Sequence, residues 1–127
     1  SLENMKIMDN SAWMGGGIYC GNNSNPKLEN MLITGNSTFG WGGGIYCFYN
    51  SSPTLTDVTI TNNSANSGGG LMSSTNSSPS LSNIIINGNI ATVSGGGIYI
   101  SSNAIISNVT VKNNSANYGR WYKKNSA

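Results

Sequence analysis

A short pattern returns along this chain every 25 to 27 residues, and that repeat constrains the fold more than any other property of the sequence. Aligned on one apolar position it reads Leu2-Glu-Asn-Met-Lys-Ile-Met-Asp-Asn10, Leu28 to Asn36, Leu55 to Asn63, Leu81 to Asn89 and Ile106 to Asn114. A second signature keeps the same step: Gly15-Gly-Gly-Ile-Tyr-Cys20, Gly42 to Cys47, Gly68 to Ser73 and Gly95 to Ile100. A repeat of this length is one supersecondary unit that buries its apolar face only by stacking on its neighbours.

The first signature alternates. Met5 and Ile7, Val58 and Ile60, Ile84 and Ile86, and Val109 and Val111 are apolar with one residue between. That is strand spacing, with the apolar members inward. Asn25-Pro26, Ser52-Pro53 and Ser78-Pro79 punctuate the units as turns. No 3.6-residue stripe occurs, and the dense leucines of a leucine-rich repeat are missing. These properties predict an all-β solenoid: about five coils of a parallel β-helix over residues 1–119, then an irregular tail or cap over 120–127. Low charge argues against disorder, since ten of the 127 residues are charged and the net charge is +2.

Stacked coils place equivalent residues about 4.8 Å apart. Asn10, Asn36, Asn63, Asn89 and Asn114 are then expected to form a ladder whose amides bond to one another and to turn backbone. The triple glycines fit backbone that needs positive φ or close approach. A phosphate-loop reading of them fails, because no helix and no Lys-Ser/Thr follow.

These signatures, an aliphatic-x-x-Asn step (Ile7 to Asn10, Ile33 to Asn36, Ile60 to Asn63, Ile86 to Asn89, Val111 to Asn114) and Gly-Gly-x-aliphatic, resemble the repeats of chlamydial polymorphic outer-membrane proteins. More broadly they resemble right-handed parallel β-helix proteins of the pectin-lyase-like superfamily. Ile or Val stands where the chlamydial pattern has Phe, and Gly where it has Ala, so the broad superfamily is the better match. The resemblance implies a right-handed coil and an extracellular or cell-surface, often adhesive, role. It also leaves open a fragment of a polysaccharide lyase or glycoside hydrolase whose catalytic coils lie elsewhere. A self-associating filament or matrix protein, joined end to end through open coils, is the third reading.

Candidate sites are few. The acids are Glu3, Asp9, Glu29 and Asp57, and there is no His, so a Ser-His-Asp or Cys-His set is impossible. Glu3 and Glu29 fall in phase, as an acid–base pair or cation site or as two solvated turn carboxylates. A regular Thr array suited to ice is absent. Cys20 and Cys47 are in phase and point inward, and the coil spacing favours free thiols over a disulfide; two thiols are too few for zinc. No catalytic, metal or cofactor site is expected. The surplus lies in the aromatics. Alternation from Ile18, Ile45 and Ile98 turns Tyr19, Tyr46 and Tyr99 outward, with Met72 completing the column. Trp13 and Trp41 fall nearby, as do Phe39, Phe48 and Tyr49. Such rings stack on sugars or a protein partner, or else cover glycine-rich backbone. Asn-x-Ser/Thr sequences at Asn22, Asn36 and Asn108 need no glycan to explain them in so Asn-rich a chain.

No basic stripe is present, so nucleic acid is not an expected partner. The one basic cluster, Arg120 with Lys123 and Lys124, falls in the tail. No apolar run approaches the roughly 20 residues needed to span a bilayer, and no signal peptide is visible. Ser1 begins in mid-repeat, so further coils are expected before it.

Overall fold

Each repeat folds as one coil. The computed structural model describes residues 1–119 and 121–123. Strands β1 (Leu2–Glu3), β2 (Lys6–Met8), β3 (Ser11–Ala12) and β4 (Ile18–Cys20) make the first coil. The second holds β5 (Lys27–Thr34), β6 (Ser37–Thr38) and β7 (Ile45–Cys47), and the third β8 (Thr54–Thr61), β9 (Ser64–Ser67) and β10 (Leu71–Ser73). The fourth holds β11 (Ser80–Asn87), β12 (Ile90–Ser94) and β13 (Ile98–Ile100), and the last β14 (Ile105–Lys112) and β15 (Trp121–Lys123).

Among the described residues all strand pairing is parallel and runs between coils, never within one. The long sheet stacks β1 and β2 on β5, then β8, β11 and β14. The corner sheet orders β3, β6, β9 and β12, and the tyrosine sheet β4, β7, β10, β13 and β15. In the long and tyrosine sheets register follows the repeat residue for residue, as in Leu28↔Leu55 and Ile33↔Ile60, whereas β12 shifts against β9 between Ala91 and Ser94. The solenoid expected from the repeat is therefore the fold, with between four and five turns. Trp121–Lys123 pair in register with Ile98–Ile100, so the tyrosine sheet runs on into the segment expected to be tail. Arg120 and residues 124–127, with the basic cluster's Lys124, lie outside the described residues.

The core is a set of apolar columns parallel to the coil axis. Leu28, Leu55 and Leu81 form one, Ile33, Ile60 and Ile86 another, and Ile45, Leu71 and Ile98 a third; all are essentially inaccessible. Each such side chain contributes roughly 1.5–3 kcal/mol on burial. Ile7, expected inward, packs against the core but remains partly exposed because its coil has a neighbour on one side only; Met5, also expected inward, is exposed and lines an open groove instead.

Buried asparagines seal the corner between the long and corner sheets. Asn63 Oδ1 accepts from the backbone N–H (2.9 Å) and Nδ2 (3.0 Å) of Asn36. Its own Nδ2 donates to the Ile33 carbonyl and to Asn89 Oδ1, both at 3.0 Å. Asn89 repeats the pattern toward Ile60 and Asn114. Among the described residues no buried side-chain polar atom lacks a partner, which is what burying amides requires.

A second set of Asx residues stacks on the outside. Asn4, Asn30, Asp57, Asn83 and Asn108 all have φ between 50° and 56°. This left-handed residue interrupts the long strands, since the pairing skips from Glu29↔Thr56 to Met31↔Val58. The interruption explains a three-residue step, Leu28 to Met31, between two inward side chains. Asn and Asp tolerate that conformation better than other residues with side chains.

Candidate functional site

The aromatic residues gather where the tyrosine sheet meets its flanking turns. Each of the first four coils enters this sheet through a triple glycine, whose first member has positive φ (Gly42, 70°). The other two lie too close to the next coil's carbonyls, or for Gly97 to the Asn114 amide, to carry a side chain. With no side chains there, the entering loop lies flat and the rings beside it project. Tyr19, Tyr46, Met72 and Tyr99 stand in register on β4, β7, β10 and β13.

Their exposure differs from the expectation of an open column. Tyr46 is only 3% exposed and Met72 is also buried, whereas Tyr19 is 48% exposed. Tyr46 stands apart from the apolar core cluster that holds its neighbours Ile45 and Cys47. Other rings cover it: Tyr19 at 5.6 Å between centroids, Trp41 at 6.0 Å and Phe48 at 5.7 Å. The expectation of Tyr46 as an open contact residue is thus corrected; it is the hub beneath the surface rings. Strand alternation gave its direction but not what the adjoining turns lay over it.

Burial pushes the Tyr46 phenol above its ordinary pKa, and a hydrogen bond with Ser74 Oγ (3.3 Å) pulls the other way. The exposed rim is Tyr19, Trp41 and Tyr49, with Phe48 half-buried between Tyr46 and Tyr49. Tyr99, two coils from Tyr46, is half-buried and makes contacts of its own. Trp13 pairs instead with Phe39 at 5.7 Å; among the described residues the two are the most exposed large apolar side chains, at 78% and 80%. They wall an open cleft of about 250 Å³ over Ser11 and Ala12. A rim of aromatic faces around a desolvated ring can take the apolar face of a sugar or an apolar side chain.

The remaining candidates are sparser. Glu3 and Glu29 are register partners on β1 and β5, both exposed. Glu3 Oε1 accepts from Ser1 Oγ at 3.3 Å. Cys20 and Cys47 are stacked, buried and unbonded by disulfide. A hydrogen bond to Cys20, reinforced by burial, raises the Cys47 thiol well above its ordinary pKa. Receiving that bond lowers Cys20 against its own burial. Among the described residues no three His, Cys, Asp or Glu side chains come together as a metal site, and no helix is long and apolar enough to cross a membrane.

The outer Asx column and a groove beside it were not anticipated as a site. The groove holds about 430 Å³ and is lined by Asn30, Asp57, Met5, Met31, Leu32 and Lys6 among others. The signal was present as an Asn or Asp two places after each repeat's leading Leu or Ile.

A family model described as a right-handed beta helix region matches residues 1–127. No curated protein and no solved structure shows a significant match.

Proposed function

Because the chain belongs to the family of right-handed β-helix regions, we propose that it is a non-catalytic structural and adhesive segment of a secreted or cell-surface protein, contacting glycans through its aromatic rim. The observation that carries this reading is the ring assembly on the first two coils, where Tyr19, Trp41 and Tyr49 stay exposed around buried Tyr46. Exposed apolar surface of this kind marks interaction sites. A rigid stack of coils holds the rings in place, so ordering them on binding costs little.

A glycan array probed with the purified chain tests it. Binding is expected for the native chain and at least tenfold weaker binding for Trp41→Ala and Tyr19→Ala. Silence of the native chain across the array would end the glycan reading. Polysaccharide cleavage that disappears in Glu29→Gln would replace it with the enzymatic one.

A further inference from the structure

The outer Asx column contains a defect. Nδ2 of Asn30 donates to Oδ1 of Asn4 (2.6 Å), Nδ2 of Asn83 to Oδ1 of Asp57 (3.1 Å), and Nδ2 of Asn108 to Oδ1 of Asn83 (2.7 Å). Every bond runs the same way, from a side-chain amide to the oxygen on the preceding coil. Residue 57 should therefore donate to Asn30 Oδ1, but an ionised aspartate has no proton to give. No hydrogen bond joins Asn30 to Asp57. Both side chains are exposed, and with the aspartate charged and no donor supplied between them they line the same groove of about 430 Å³.

We propose that this break in the column is a binding site for a primary ammonium group carried on an aliphatic stem. The favoured occupant donates to both oxygens, as water can, and adds the positive charge that water lacks. An ammonium offers three donors and no acceptor, and its bond to a carboxylate is charge-assisted. Two such bonds of about 2.9 Å at the tetrahedral angle span roughly 4.7 Å, which matches the coil spacing of about 4.8 Å. Met5, Met31 and Leu32 in the groove wall take the methylene stem. A single neutral hydroxyl has one donor and leaves an oxygen unmet. A hard divalent cation wants six to eight oxygens, more than these two side chains supply. Lys6 also lines the groove, but no ion pair ties it to Asp57. The face is separate from the aromatic rim, so the two sites are independent.

The test is an NMR titration of the ¹⁵N-labelled chain with n-butylammonium. A saturable shift of the Asn30 side-chain amide is expected. Asp57→Asn restores the missing donor; it should fold, since Asn holds this place in the other four coils, and should weaken the response at least tenfold. Glu29→Gln removes a nearby charge without closing the break and should keep it. The proposal fails if the native chain shows no saturable shift, or if Asp57→Asn responds as the native chain does. It fails equally if Glu29→Gln loses as much as Asp57→Asn, or if calcium or a neutral butanediol reproduces the shift.

Discussion

At the scale of single residues, Asn63 shows how much one amide holds. It sits mid-column with every hydrogen-bonding group engaged and 1% exposure. Truncation leaves the Asn36 amide, the Ile33 carbonyl and Asn89 Oδ1 without this partner. Asn63→Ala is therefore expected to cost roughly 3 kcal/mol or more, read as a lower urea midpoint. Asn10, exposed at the start of the column, should cost well under half as much. Equal losses at the two positions would mean that the column does not hold the coils together.

The stacked thiols give a second residue-scale expectation, with its sign fixed by linkage. Cys47 is held above its ordinary pKa, so the folded chain keeps a proton that the unfolded chain sheds above about pH 8.5. The stabilisation is complete below that pH and is lost as pH climbs toward the folded value. The lowered Cys20 works in the opposite sense, but Cys47 is raised well above its ordinary value and should dominate. Urea midpoints should fall between pH 8 and 10, and this fall should shrink in Cys47→Ser. Serine occupies the same register position one coil on, at Ser73, and is tolerated there.

At the scale of elements, glycines with different reasons should respond differently. A methyl group on Gly69 would overlap the carbonyl oxygens of Gly96 and Ile90, which belong to the next coil's backbone and cannot swing away. Gly69→Ala is expected to cost about 3 kcal/mol or to prevent folding, beyond ordinary overpacking. Gly88 has φ 70° and meets only Asn62 Oδ1, at 2.8 Å. Asn accepts that φ, and the exposed Asn62 side chain can turn aside, so Gly88→Asn should cost within about 1 kcal/mol. Thermal melts of the two variants check the contrast. The same phase reads Asp9, Gly35, Asn62, Gly88 and Asn113, all with positive φ, so Asx and Gly alternate from coil to coil. In Gly35 and Gly88 the missing Cβ leaves room for the Asx oxygen of the coil before.

Legibility in the sequence divides at this scale too. Strands, coil period and inward columns were readable because one two-residue alternation recurs in register, and Ile33, Ile60 and Ile86 carry it openly. The burial of Tyr46 was not readable, because it depends on Trp41 and Phe48, which lie outside the strand. The outer column was hidden for another reason. Asn4, Asn30 and Asp57 look like ordinary turn residues until a left-handed conformation places them above one another.

At the scale of the whole molecule, the chain is nearly one-dimensional, each coil touching only the next. Stability is then a sum of coil terms and nearest-neighbour terms. Amide exchange of the isolated chain should be slowest in β8 and β11, whose inward side chains are fully buried, and should quicken toward β2 and β14, where they are not. Uniform protection across the coils would contradict this.

The direction of the backbone bonding has a mechanical consequence. Every strand pair joins successive coils, so the hydrogen bonds lie along the axis of the stack rather than across it. Tension applied along that axis strains them lengthwise and peels the stack from an end. Each yield event then frees one coil of 25–27 residues, worth roughly 85–90 Å of extended chain. Compressed or sheared sideways, the same object is braced by its packed columns. It is a stiff rod in bending that pays out like a coiled rope when pulled.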